Sequence, residues 1–276
     1  MKITLQLLNQ EGQVKTGLFS YDETVKPFKT TGEDLAVIGI KKMAWQAGDK
    51  IQVDIDQANQ YLWVQLDETM APTLIYLSQR QWIYTIDPDK RQLDTAFASQ
   101  RHCIMVRKAS TADVNAYRNL AFNPHDQVAD TGAYPHASSN VVEETNPTFI
   151  AQNAIDGKLA NISHGSYPYG SWGIHERADA ELTIDFGRPV EINMVKLLVR
   201  SDHLERPHDG YWNQGTLKFS DGSHQVIAMN DSDTFRTVRF APKVTSTLVL
   251  KDLIPAKESA RFKALTQIEA YGYARN

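Results

Sequence analysis

Apolar and polar residues alternate along most of this chain. In "KITLQLLN", Ile3, Leu5 and Leu7 fall on one face and polar residues on the other, the period-two signature of a half-buried strand. The pattern returns in "VIGIKKMAW", "KIQVDI", "YLWVQLD", "TLIYLS" and "QWIYTI", with "EGQVK" as a turn. In the second half, "AELTIDFG" aligns Leu182, Ile184 and Phe186 and closes on Gly187-Arg188-Pro189. "INMVKLLVR", "GTLKFSDGSHQVIAM", "TFRTVRFAPK", "STLVLKDL" and "LTQIEAYGY" follow, with a hairpin signal at Asp221-Gly222. Only "ASTADVNAYRNLAFNP" predicts a short helix, with Ser110 or Thr111 to cap it and Pro124 beyond its end. Short strands separated by turn residues predict an all-β fold: two tandem β-sandwich, jelly-roll-like domains with a short helical connector. The composition shift at the helix sets the domains at 1–109 and 110–276. Trp45, Trp63, Trp82 and Tyr84 mostly occupy alternating positions, which predicts core packing. Asp67-Glu68 after "YLWVQL" reads as a strand end with solvated charges.

Bulk properties narrow the function classes. A chain of 276 residues with 42% hydrophobic content can bury a core in each half. A net charge of -4 without a lysine/arginine cluster argues against nucleic acid or an anionic membrane as the main partner. The lone cysteine, Cys103 in "RHCIMVRK", allows no internal disulfide and reads as a small buried hydrophobe. "MKITLQLLNQ" lacks the apolar core of a signal peptide, and no stretch is long enough to span a membrane. The expected location is cytoplasmic as written, or extracellular if a leader has been removed.

Two loops concentrate the interaction-capable side chains. "NISHGSYPYGSWGIHE", from Asn161 to Glu176, is too rich in glycine and proline for helix or strand. Tyr167, Tyr169 and Trp172 offer faces for the apolar side of a sugar ring, and His164, His175 and Glu176 offer partners for its hydroxyls. "RSDHLERPHDGYWNQ" repeats the composition with Arg200, Asp202, His203, Arg206, His208, Asp209, Tyr211 and Trp212. The candidate ligand-binding set is therefore His164, Tyr167, Tyr169, Trp172, His175, Arg200, His203, His208, Tyr211 and Trp212. Trp172 and Trp212 also suit partial core packing, and Tyr167-Pro168-Tyr169 suits an exposed turn. The histidines lack the spacing of a known zinc motif. No nucleophile elbow, P-loop or Rossmann glycine pattern appears. A glycosidase needs two carboxylates roughly 5–10 Å apart; Glu176, Asp202, Glu205 and Asp209 are available, and the sequence does not place them. "NPHD" at Asn123–Asp126 reads as turn chemistry.

From Asn119 to Tyr273 the chain resembles the discoidin-like, coagulation-factor type C family of galactose-binding-like β-sandwiches, many of whose bacterial members bind carbohydrate. The resemblance is carried in order by "NLAFNP", "YPHASSN", "NAIDGK", "SWG", "AELTIDFGRPVEINMVKLLVR", "FSDGS" and "LTQIEAYG". It implies a structural calcium beside Asp156 and Glu269, since calcium takes about six to eight oxygen ligands and a tight turn with a carboxylate supplies several. Lys158 departs from the family pattern, and Asp156 can equally bond its own turn. The leading reading is a non-catalytic carbohydrate-binding protein using the loop end of the second sandwich. A glycan-active hydrolase with a site between the domains is the second reading. A protein-interaction module, including a homodimer that buries Tyr167 and Tyr169, is the third.

Overall fold

The protein is seen as a computed structural model that describes residues 1–19, 24–87, 91–141, 146–201, 209–229, 232–256 and 262–274. The first strands are β1 (Lys2–Leu8), β2 (Thr16–Gly17), β3 (Lys26–Pro27), β4 (Lys29–Glu33), β5 (Leu35–Ile40), β6 (Lys50–Ile55), β7 (Gln60–Gln65), β8 (Thr73–Leu77), β9 (Gln81–Thr85) and β10 (His102–Lys108). After helix α1 (Thr111–Asn115) come β11 (Arg118–Asn119), β12 (Ala133–Tyr134), β13 (His136–Ser139), β14 (Trp172–Gly173), β15 (Leu182–Val199) and β16 (Asp209–Gly210). The chain closes with β17 (Trp212–Phe219), β18 (His224–Ala228), β19 (Arg236–Pro255) and β20 (Phe262–Ala274). Two compact units result: residues 1–111 with 129–134, and residues 112–128 with 135–276.

The first unit is a sandwich of two antiparallel sheets, ordered β4-β1-β6-β9 and β12-β8-β7-β10-β5. Alternation is what builds its core. Ile3, Leu5 and Leu7 of β1 and Ile51 and Val53 of β6 are buried with Leu62, Val64, Ile38, Ile104 and Val106 of the other sheet. Trp82 and Tyr84 are core residues, as their positions predict. Trp63 is half-buried under the Arg107 guanidinium, 5.4 Å from its ring centre. Cys103 is exposed, not buried, because β10 turns His102, Ile104 and Val106 inward and Cys103 outward. Asp67 is also unlike its sequence reading. It is 1% exposed, drawn inside by hydrogen bonds rather than solvated at a strand end. The segment 129–134 lies on the second-domain side of the boundary expected at residue 110, yet it belongs to the first unit and adds β12 to the edge of β8.

The second unit bends long strands around its own core. β15 is one strand of 18 residues where alternation suggested two. Its Gly187 has φ 68° and donates its amide to the Asp185 carboxylate at 2.7 Å, and the register with β19 shifts there. Such a bulge bends a strand without ending it. Before the bulge β15 pairs with β13 and β19; beyond it, with β20 and β19. β19 likewise runs through both segments assigned to it. The backbones of β15 and β20 approach closely at Gly272, where an added Cβ would lie 1.9 Å from the Glu191 carbonyl oxygen. The enclosed core holds Trp172, Trp212, Phe219, Leu182, Ile192, Leu250 and Ile268. Helix α1 is a single polar turn with no buried residue, shorter than its segment suggested, and Arg118 Nη1 donates to its Val114 carbonyl at 2.8 Å.

Candidate functional site

A pocket of about 270 Å³ opens in the second unit where three strand ends meet. Leu265 near the start of β20 is flanked by Trp172 of β14 and Val199 of β15. One residue further along β14 and β15, Gly173 and Arg200 line the pocket, and two residues back along β20 so does Lys263, with Phe149, His164, Ile174, His175 and Phe262. The Arg200 amide donates to the Ala264 carbonyl at 3.0 Å, so the end of β15 is tied to the start of β20. Arg200 is 4% exposed, and its guanidinium lies over the Phe149 ring, 5.6 Å from the centroid. Phe149 in turn rests on bare backbone: a Cβ on Gly173 would come within 3.2 Å of it. Phe262 stands exposed on the rim.

The loop that carries the histidines is pinned at several points. Asn161, itself buried, donates its side-chain amide to the Val199 carbonyl at 2.9 Å and accepts the Ser201 amide at 2.7 Å. Asn153 donates to the carbonyls of Pro147 and Ser171. Trp172 donates its indole N–H to Ser139 Oγ at 3.0 Å. Ile174–Arg177 closes a tight turn, with the Arg177 amide on the Ile174 carbonyl at 2.9 Å. His175 and Glu176 at its centre have φ 45° and 61°, a left-handed pair that glycine or asparagine normally supplies. Each such non-glycine residue costs about 1 kcal/mol, so the fold spends conformational strain to place His175 at the pocket. Arg177 holds the turn from below, clamped on Asp179 at 2.7 and 3.0 Å and on the Asn140 carbonyl.

The structure thus brings together His164, His175 and Arg200 of the sequence-predicted set. It removes Trp172 and Trp212, which are 0% and 1% exposed in the core and present no face to a ligand. Tyr167, Tyr169 and Tyr211 do not line the pocket. The exposed Tyr167 ring faces the Lys158 ammonium at 6.0 Å, and the half-buried Tyr211 accepts the Ala256 amide at its carbonyl. His203 and His208 lie outside the described residues, as do Asp202, Glu205 and Arg206. Phe149, Phe262 and Lys263 were not foreseen. They sit in "NPTFIAQ" and "RFKALT", where nothing in the residue pattern separates a pocket wall from a core strand.

The calcium pair is not assembled. Asp156 meets Gln267 from β20, not Glu269: the Gln267 amide donates to Asp156 Oδ1 at 2.9 Å and to the Asn153 carbonyl at 2.7 Å. The other carboxylate oxygen of Asp156 accepts from the Lys158 ammonium at 2.7 Å. Glu269 lies two residues along, where it faces Lys196 at 3.9 Å. Burial, and next the Glu269 carboxylate, push the Tyr271 hydroxyl up to about 12. A cationic side chain on the turn carboxylate and an amide opposite it do not fit a calcium ion, which needs anionic and carbonyl oxygens on several sides. Asn123 Oδ1 accepts the His125 amide, as turn chemistry predicts. Asp126 goes further and holds His136 Nδ1 at 2.9 Å.

No protein-family model matches the chain, and no curated protein matches it. Solved structures similar to it include chitosan-binding module 1 of a chitosanase/glucanase from Paenibacillus sp. IK-5, 17% identical, with a TM-score of 0.39 over 56% of this chain and 98% of that one. A family 32 carbohydrate-binding module from C. perfringens in complex with galactose is 15% identical, with a TM-score of 0.36 over 49% of this chain and 91% of its own. A fucose-binding module from Streptococcus pneumoniae is 13% identical, with a TM-score of 0.39 over 56% and 98%.

Proposed function

We propose that the second unit is a non-catalytic carbohydrate-binding module, and that its ligand sits in the pocket walled by His164, His175, Arg200, Phe149 and Phe262. The observation that carries this reading is the convergence of two histidines and a rigid guanidinium on an aromatic floor. A sugar presents an apolar C–H face and a rim of hydroxyls. Aromatic rings pack on the first, and fixed donors and acceptors match the second. Arg200 is pre-organised by Phe149 and by the β20 backbone, so little side-chain entropy is lost when a hydroxyl binds. The pocket is slightly below the range of about 300–1,000 Å³ usual for drug-sized ligands, which suits the terminal residue of a glycan.

The lining also sets a preference. Among the described residues it carries a guanidinium, an ammonium and two imidazoles, and no carboxylate. Neutral or acidic terminal sugars are favoured, and protonated amino sugars are disfavoured. Carboxylate-pair hydrolysis has no support from these residues. Calorimetric titration of the whole chain against neutral, acidic and amino-sugar termini tests the reading. Phe262→Ala, on the exposed rim, weakens binding about fivefold, as expected for an aromatic contact of about 1 kcal/mol. Arg200→Lys keeps the charge and loses the planar fork, and it weakens binding further. Absence of binding to all three classes at millimolar sugar overturns the reading.

A further inference from the structure

A second pocket, of about 420 Å³, lies in the first unit, bounded by Asp67, Glu68, Thr69, Thr95, Ser99 and His102 among others. At its base His102 enters from β10, 6% exposed. Its Nδ1 lies 3.1 Å from Glu68 Oε2 and 3.4 Å from Asp67 Oδ2. Its Nε2 lies 3.0 Å from the Ser99 carbonyl oxygen. A carbonyl only accepts, so Nε2 carries the proton that bonds it. The lone pair of a neutral ring would then be aimed from Nδ1 at two carboxylates, an arrangement of acceptors against acceptors. The geometry requires a cation at Nδ1, either a proton or a metal ion.

We propose that the Nδ1 seat of His102, with Glu68 and Asp67, binds a divalent transition-metal ion of the zinc class. One donor atom from each of the three residues lies within 4.8 Å of the others. The separations of 3.1 and 3.4 Å match the roughly 3.4 Å edge of a tetrahedron whose metal–ligand bonds are about 2.1 Å. The contact from Nε2 to a backbone carbonyl is the usual outer partner of a metal-bound histidine, fixing tautomer and ring plane. The carboxylates are fixed too. Asp67 Oδ1 accepts from the Thr69 amide at 2.9 Å and hydroxyl at 2.6 Å, Asp67 Oδ2 accepts from the Phe97 amide at 2.8 Å, and Glu68 Oε1 accepts from the Cys103 amide. Three protein ligands leave a fourth position facing the pocket, open to water or a small anionic ligand. Binding displaces the Nδ1 proton to solvent. Ser99 is not a nucleophile paired with this histidine, since its hydroxyl donates to the Arg101 carbonyl at 2.7 Å.

Zinc titrated calorimetrically into the chelator-treated, dialysed whole chain tests the site, with cobalt absorption as a second probe. One ion binds per chain with proton release, and the cobalt spectrum shows the intense visible bands of low coordination number. Glu68→Gln, on a partly exposed side chain, lowers zinc affinity at least about tenfold. The site itself is read in the unmutated protein from the ring nitrogens of His102: zinc shifts the Nδ1 resonance and leaves Nε2 protonated. Zinc binding that leaves the His102 resonances unmoved overturns the assignment. So does binding that Glu68→Gln leaves unchanged, or no binding at micromolar zinc.

Discussion

The Lys158 ammonium rests 2.7 Å from the Asp156 carboxylate, on the turn where the sequence resemblance pointed to calcium. Both side chains are largely buried, so the chain supplies a tethered cation of its own. Millimolar calcium therefore leaves the melting temperature of the unmutated protein unchanged. Lys158→Ala leaves Asp156 with a buried charge and too few donors, at a cost of about 1–3 kcal/mol. In that variant calcium restores part of the lost stability. Thermal melts of both proteins with and without calcium check this, and a calcium-dependent shift in the unmutated protein would count against it.

Ser139 is the acceptor for the indole N–H of Trp172, at the heart of the second core. Ser139→Ala leaves that N–H buried without a partner and costs about 1–2 kcal/mol. Urea denaturation, followed by tryptophan fluorescence, reports the change in midpoint. Ser139→Thr keeps the hydroxyl and retains most of the stability.

The left-handed pair in the pocket turn separates stability from binding. Glu176→Gly relieves a φ of 61° and stabilises the protein by about 0.5–1 kcal/mol with sugar affinity retained, because Glu176 does not line the pocket. His175→Gly relieves a φ of 45° and stabilises similarly, while sugar affinity falls. Melting and titration on the two variants distinguish these outcomes.

The first unit has a pH window set by Asp67 and His102. Burial pushes the Asp67 carboxyl up, and hydrogen bonds from His102, Thr69 and the Phe97 amide outweigh it, holding the group at about 2 against an ordinary 3.8. Its folded value is lower than its unfolded one, so its contribution is present above about pH 4 and is lost as pH falls towards 2. The size is about 2 kcal/mol. Burial pushes the His102 imidazole down, and bonds to Asp67, the Ser99 carbonyl and Glu68 raise it above 6.5 overall. That contribution is full below pH 6.5 and is lost as pH rises through the folded value. Metal-free protein is thus most stable, as far as this pair decides it, between about pH 4 and 6.5. Melting temperature against pH shows both limbs, and His102→Gln abolishes the upper one.

What the sequence showed, and what it hid, follows from where each signal is written. Alternation in β1, β6 and β7 is a local property of the chain, so the all-β sandwiches were legible. The bend at Gly187 was not, because Gly187-Arg188-Pro189 looks the same in a bulge and in a turn between separate strands. His164, His175 and Arg200 were legible as polar residues on a glycine-rich loop and at a strand end. Phe149 and Phe262 join them only through the pairing of β14, β15 and β20, which is non-local. Asp67 reads as a solvated strand end, yet its partner His102 lies 35 positions along the chain. The available clue was that His102 shares the inward period of Ile104 and Val106, where a histidine needs a buried acceptor.

The short strand β12 has a consequence for how the protein can be made and divided. Every residue of β8 is buried, and its outer edge is covered by Ala133 and Tyr134, with the Ser78 amide and hydroxyl both on the Gly132 carbonyl. Those three residues are synthesised after the chain has left the first unit at residue 111 and begun the second. A nascent or recombinant fragment ending at residue 111 would present a bare, apolar sheet edge, a template for pairing with another copy. The shortest first unit that keeps the β8 edge covered therefore extends through Tyr134, and translation must pass that residue before this edge is paired.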